Sequence, residues 1–215
     1  MSHPIVEVLL NPDAFFRKMA DRAPELMLPA ALVLVTGIIG GIAAYLITNM
    51  LTPAFPAEAQ GILGIIAVAG AVATPIFSLI GWVVVAIIFY AISSVFKGRG
   101  SLKKTLEFTG YGYVPTILSS AISLVLTAQF VSSVPLPQID FTDPAAVTAF
   151  QATITHSPMM MAVVGITIVF LLWSANIWIF GMKHARNLTL KNAAITVGVP
   201  VGIYIIYQIV SLGVI

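Results

Sequence analysis

Five stretches of this chain, residues 26–57, 59–96, 108–139, 144–182 and 192–215, contain no Asp, Glu, Lys or Arg. Each is longer than the ~20 apolar residues that cross a hydrocarbon core about 30 Å thick. A single charge at mid-membrane depth costs at least about 2.5–3.5 kcal/mol, so charge-free runs of this length count spans directly. A water-soluble fold is excluded on the same ground: with 8% charged and 59% hydrophobic residues in 215, against roughly 25% charged in ordinary soluble domains, too little polar surface exists to meet water. The pattern predicts an all-α polytopic membrane protein, a bundle of five transmembrane helices near 28–50, 76–96, 114–134, 159–182 and 194–213. Pro75 divides the second run. The part before it, Gly61 to Thr74, reads as an extension of the second helix kinked at the proline, or as an interfacial or re-entrant piece.

The charges decide between these counts. Arg17, Lys18 and Arg22 precede the first span; Lys97, Arg99, Lys103 and Lys104 lie between the second and third; Lys183, Arg186 and Lys191 lie between the fourth and fifth. The loops near 51–60 and 135–158 hold no Lys or Arg, only Glu58, Asp140 and Asp143. Five spans satisfy this alternation, and the positive-inside bias puts the N-terminus in the cytoplasm and the C-terminus outside. The chain divides into a cytoplasmic amphipathic segment, 1–25, and a transmembrane domain, 26–215. The first apolar run starts too late for a signal peptide and lacks a small-residue cleavage site, so the first helix is expected to act as an uncleaved anchor.

Asn11-Pro12-Asp13 reads as a helix cap with proline at the first position. Behind it, Phe15, Phe16 and Met19 interleave with Arg17, Lys18 and Arg22, as in a helix lying on a leaflet with its aromatics in the bilayer. Asp143-Pro144, with Val147, Phe150 and Ile154 at helical spacing, predicts a short outer helix over 144–155 that ends by Pro158. The stretches from Lys97 to Pro115 and from Lys183 to Pro200 resemble one another. They read either as a parallel duplication or as two cytoplasmic loops made alike by topology.

Two of these stretches carry a resemblance. Gly98-Arg-Gly-Ser-Leu-Lys-Lys-Thr-Leu-Glu-Phe-Thr-Gly-Tyr-Gly-Tyr-Val-Pro115, and Trp178-Ile-Phe-Gly-Met-Lys-His-Ala-Arg-Asn-Leu-Thr-Leu-Lys-Asn-Ala-Ala194 leading to Pro200, together with the Asn11-Pro12 start and five spans, resemble the Yip family, the Ypt/Rab-interacting-protein type. The Gly-Tyr-x-Tyr/Ser-x-Pro stretch is its best single marker. The resemblance implies a five-span integral membrane protein. Eukaryotic Yip proteins are linked to small-GTPase binding and vesicle traffic through a long cytosolic N-terminal region. Here about 25 residues precede the first span, with no Asp-Leu-Tyr-Gly-Pro motif, so GTPase binding is not carried over. The short form is similar to prokaryotic Yip-domain proteins, which implies a multi-pass location in the cytoplasmic membrane.

Reaction chemistry is not visible. The chain has no cysteine, which removes disulfides, thiolate ligands and thiol nucleophiles. His3, His156 and His184 lie on different loops and no zinc-protease, nucleophile-elbow or Walker sequence occurs. His156 leads into Met159, Met160 and Met161, where soft Cu(I) ligation competes with packing at a helix start. A non-enzymatic protein with no metal and no cofactor is expected. Nucleic acid is excluded as a partner, since ten basic residues and a net charge of +2 make no basic face of the needed size. No Asp, Glu, Lys, Arg or His falls inside a predicted span. The polar residues that do are neutral, with Asn176, Gln129 and Gln208 foremost. Asn176, near Trp173 and Trp178, is expected to face other helices and hydrogen-bond across them. Gly37-Ile-Ile-Gly-Gly41 and Gly198-Val-Pro-Val-Gly202 read as packing sites.

Two functions follow. Lys97, Arg99, Lys103, Lys104, Lys183, Arg186 and Lys191, with Tyr111 and Tyr113 beside them, read as a cytoplasmic face for anionic lipid headgroups or a protein partner, or as the consequence of topology alone. The bilayer is a partner in either case, and a homo-oligomer is compatible with both. The alternative is a small transporter or channel for a neutral or weakly charged solute, lined by the neutral polar residues.

Overall fold

The computed structural model describes residues 4–133, 143–155 and 157–211, and every regular element among them is helical. Two short helices, α1 (Pro4–Leu10) and α2 (Pro12–Met19), precede α3 (Met27–Leu51). A 3-10 turn leads into α4 (Ala57–Val95), and α5 (Leu102–Tyr111) and α6 (Val114–Ser133) follow as a pair bent by 41°. After α7 (Pro144–Thr155) come α8 (Pro158–Ala185) and α9 (Leu190–Ser211). α3, α4, α8 and α9 are long and apolar enough to cross a membrane, and counting the bent pair as one span brings the number to five. The fold is thus an all-α polytopic bundle in which two elements bear on what the sequence left open.

The first is α4. It runs uninterrupted through Pro75 for 39 residues, about 58 Å at 1.5 Å per residue, so 61–74 is an extension of the second span. Proline has no N–H and frees the carbonyl of Ala71. That carbonyl meets the glycine face of α3: a Cβ on Gly41 would stand 2.5 Å from Ala71 O, and one on Gly37 would stand 2.7 Å from Pro75 Cα. Gly37 and Gly41 are therefore a packing site within the chain. Gly198 and Gly202 meet nothing within 4 Å, so the second small-residue pair packs no neighbour among the described residues.

The second is the N-terminal segment, where the expected placement is corrected. Phe15 and Phe16 do not enter lipid. They are buried in the protein with Phe108, Tyr111 and Ile177, the Phe16 ring 4.7 Å from Phe108 and the Phe15 ring 5.0 Å from Tyr111. α5 and α8 present an aromatic socket at this end, and edge-on ring contacts there add to the area removed from water. α1, which the sequence pattern did not announce, closes over the socket with Val8.

The expected caps are present. Asn11 Oδ1 accepts from Ala14 N at 3.2 Å and Asp143 Oδ1 from Ala145 N at 2.9 Å; Pro158 opens α8, with Ser157 as its N-cap. α4 and α8 also end alike. Lys97 and Asn187 take left-handed φ angles of 57° and 50°, and Gly98 N donates to Ser93 O at 3.0 Å as Leu188 N does to Lys183 O at 2.9 Å. Beyond the caps the two hairpins diverge, because α5 breaks at Gly112 whereas α9 continues through Pro200.

Candidate functional site

The α4–α5 loop, α5, the α8–α9 loop and the segment after α2 meet at one end of the bundle, and the Lys and Arg residues gather there. Ser101 caps α5, its hydroxyl accepting from Lys104 N at 3.1 Å. Nearly every later side chain of α5 is buried, which sequence reading missed by treating these residues as a loop. Lys104 is only 7% exposed. Its ammonium donates to Met19 O and Arg22 O at 2.8 Å each, closing the end of α2, and stands 3.1 Å from Glu107 Oε2. Glu107 is 1% exposed and lies in the first arm of the bent pair. Such a buried pair contributes little net stability, but removal of either partner strands the other charge.

The Gly110-Tyr-Gly-Tyr-Val-Pro115 break is held by two tryptophans. Trp82 Nε1 of α4 donates to Leu106 O at 2.9 Å and Trp178 Nε1 of α8 donates to Thr109 O at 2.7 Å. Both carbonyls also accept a local donor, Leu106 O from Thr109 Oγ1 at 3.0 Å and Thr109 O from Gly112 N at 3.1 Å, so each indole ties the break to a neighbouring helix. The glycine at 112 is required by the same contact, since a Cβ there would collide with the Trp178 indole. Tyr113 packs edge-on against Trp178 at 5.8 Å, and Tyr111 is buried against Phe15. Both tyrosines stack within the protein.

Arg186 knits the two loops. It is 3% exposed, and Nε donates to Ser93 Oγ at 2.9 Å, Nη2 to Gly98 O at 2.8 Å and to Ser94 Oγ at 3.2 Å, and Nη1 to Gly100 O. Its guanidinium stacks 4.0 Å over the Tyr90 ring, and Arg99 N returns a bond to Arg186 O at 2.8 Å. No carboxylate ion-pairs with it among the described residues. The negative end of the α4 dipole lies beneath it instead.

A family model, the Yip1 domain, matches residues 6–212. The chain belongs to the Yip1 family. It is also 37% identical over 120 residues to an uncharacterized protein of the archaeon Methanocaldococcus jannaschii, covering 56% of this chain and 85% of that one, which supports the prokaryotic form of the domain. No solved structure matches.

Within this Yip1 domain the predicted docking residues separate into two groups. Lys97, Arg99, Lys103 and Lys191 are exposed, whereas Lys104 and Arg186 spend their charge inside. Lys183 is intermediate: it donates to Asp13 Oδ1 at 2.6 Å, and His184 Nε2 meets the same oxygen at 2.8 Å. These hydrogen bonds, Lys183 first and His184 second, hold the Asp13 carboxyl below its ordinary value. Asp13 and His184 are site residues that no spacing in the sequence connects.

The intramembrane polar residues do not converge. Asn176 is exposed on α8, which corrects the expectation that it faces other helices. The buried face of α8 is set by Ser174, Ala175, Ile177, Trp178 and Gly181, and Asn176 falls on its far side. Gln129 is exposed on α6 and Gln208 is half-buried on α9. Along their own helices, at 1.5 Å per residue, Asn176 lies about 14 Å before the end of α8, and Gln129 and Gln208 lie about 22 and 27 Å after the starts of α6 and α9. The polar contact across helices is instead Thr116 Oγ1 to Ser174 Oγ at 3.3 Å. Met159, Met160 and Met161 occupy the first turn of α8, while His3 and His156 lie outside the described residues. Among the described residues no group of three His, Asp or Glu is arranged to hold a metal ion.

Proposed function

We propose that this Yip1-family protein is a non-enzymatic membrane organiser. Its basic end faces the cytoplasm and gathers anionic lipid headgroups through the exposed cations Lys97, Arg99, Lys103 and Lys191. The observation that carries this reading is the division of labour among the cations. Lys104 and Arg186 fix the backbone of the two loops from within, and the remaining cations project from a frame held rigid by them. Each exposed cation near an anionic leaflet contributes about 1 kcal/mol, so the cations acting together select lipid without any single strong contact. The transporter reading draws no support from the placement of Asn176, Gln129 and Gln208, which stand on three different helices, the first two exposed.

The test is charge reversal at Lys97, Lys103 and Lys191 in the full chain, reconstituted into bilayers of mixed phosphatidylglycerol and phosphatidylcholine. Enrichment of phosphatidylglycerol around the wild-type protein, read by lipid-to-protein crosslinking, is expected to fall several-fold in the triple variant with the fold intact. Unchanged enrichment overturns the reading. A protein captured stoichiometrically by the wild type and lost with the same substitutions would move the face from lipid to partner.

A further inference from the structure

At the basic end, a cavity of about 550 Å³ opens between the segment after α2, the α4–α5 loop and the end of α8. Its wall includes Arg22, Arg99, Ser101, Lys104, Lys183 and His184, and the single carboxylate on it is Asp21. Lys104 and Lys183 already answer Glu107 and Asp13. Arg22 and Arg99 make no ion pair among the described residues, and both are exposed at the mouth. Ser101, the N-cap of α5, is also on the wall, and its hydroxyl already serves Lys104 N. Two unpartnered guanidiniums on the wall of one cavity make an arrangement that binds a tetrahedral oxyanion, with planar forks on its oxygens. The volume lies within the range of small-ligand sites, roughly 300–1,000 Å³, and exceeds what a bare ion needs.

We propose that this pocket is a binding site for a phosphate-bearing anion, held by Arg22 and Arg99. It rests on the reading of the basic end as an anion-facing surface, and it locates there one site with a definite occupant. The phosphate is either the headgroup of an anionic lipid or that of a soluble phosphate ester.

The experiment uses the full chain in detergent micelles and follows retained lipid by native mass spectrometry, and thermal unfolding with soluble ligands. Phosphatidylglycerol is offered against phosphatidylcholine, and glycerol 1-phosphate and inorganic phosphate are offered alone. A lipid headgroup predicts at least ten-fold preferential retention of phosphatidylglycerol, lost in Arg22→Gln/Arg99→Gln and kept in Arg17→Gln, an exposed cation outside the wall of the cavity. A soluble phosphate predicts no lipid preference but a rise in Tm with glycerol 1-phosphate, again lost in the arginine pair. Asp21→Asn, which removes the carboxylate from the wall, should tighten either mode. The proposal is overturned if no probe binds, or if the arginine pair behaves as wild type. Loss of lipid selection on reversing Lys97, Lys103 and Lys191 but not on changing the arginines removes the pocket and leaves the wider docking face; the converse removes the face and leaves the pocket.

Discussion

Arg186 shows how one residue can be misjudged by its surroundings in sequence. On a loop with Lys183 and Lys191 it reads as one more topogenic cation, yet its guanidinium is enclosed and bonded to four oxygens, two at the end of α4 and two in the α4–α5 loop. No periodicity signals this, because the partners are two serines and two backbone carbonyls some ninety residues earlier. Hydrogen bonds to a charged donor contribute about 1.5–3 kcal/mol each when removal leaves the acceptor buried. Arg186→Lys keeps the charge but cannot reproduce a planar fork that reaches several acceptors at once. It should therefore lower stability by about 3 kcal/mol, read as a fall in denaturation midpoint in micelles, while Lys191→Gln, exposed nearby, leaves the midpoint unchanged. A wild-type midpoint in Arg186→Lys would show that the fork is not what joins the loops.

At the scale of elements, the spans were legible because lipid imposes a one-dimensional rule, a charge-free run of sufficient length. The caps at Asn11 and Asp143 were legible because local chemistry fixes them. α5 was not. Its lysines satisfy the positive-inside pattern whether they face water or close a helix end, and only the tertiary fold brings Met19 and Arg22 to Lys104. The Gly-Tyr-Gly-Tyr-Val-Pro stretch marked the family before its physical role was apparent: it is a break whose carbonyls borrow indole donors from α4 and α8. That role makes Gly112 intolerant. Gly112→Ala drives a methyl into the indole of Trp178 and should cost about 1–3 kcal/mol, with a shift in tryptophan emission as the bond to Thr109 O is broken. Gly81→Ala, where a Cβ meets nothing within 4 Å, should instead be neutral or stabilising by up to about 1 kcal/mol, since alanine is the better helix former. Equal effects of the two substitutions would mean that the indole yields without cost and the break does not depend on it.

At the scale of the molecule, the N-terminal segment belongs to the bundle and roofs the cavity at its basic end. It is fastened by the burial of Phe15 and Phe16 and by the bonds from Lys183 and His184 to Asp13. The second fastening depends on the charge of Asp13, whose carboxyl is held below its ordinary value of 3.8 by those two partners. A carboxyl with a depressed folded value contributes stability that is complete above the ordinary value and is lost as the pH falls through the folded one. Docking of the segment should therefore be insensitive to Asp13 titration from neutrality to about pH 4 and weaken below it. Asp13→Asn removes that dependence. At pH 7 its segment should exchange amide hydrogens faster than the wild type, and the difference should shrink as acid protonates the native carboxyl. Hydrogen exchange over residues 12–22, followed from pH 7 to pH 3 in both proteins, reads this directly. If the two profiles coincide at pH 7, the aromatic burial alone holds the roof, and the carboxylate is incidental to it. If the gap opens at neutrality and closes in acid, one ion-paired aspartate links the N-terminal segment to α8, and the shape of the basic cavity with it.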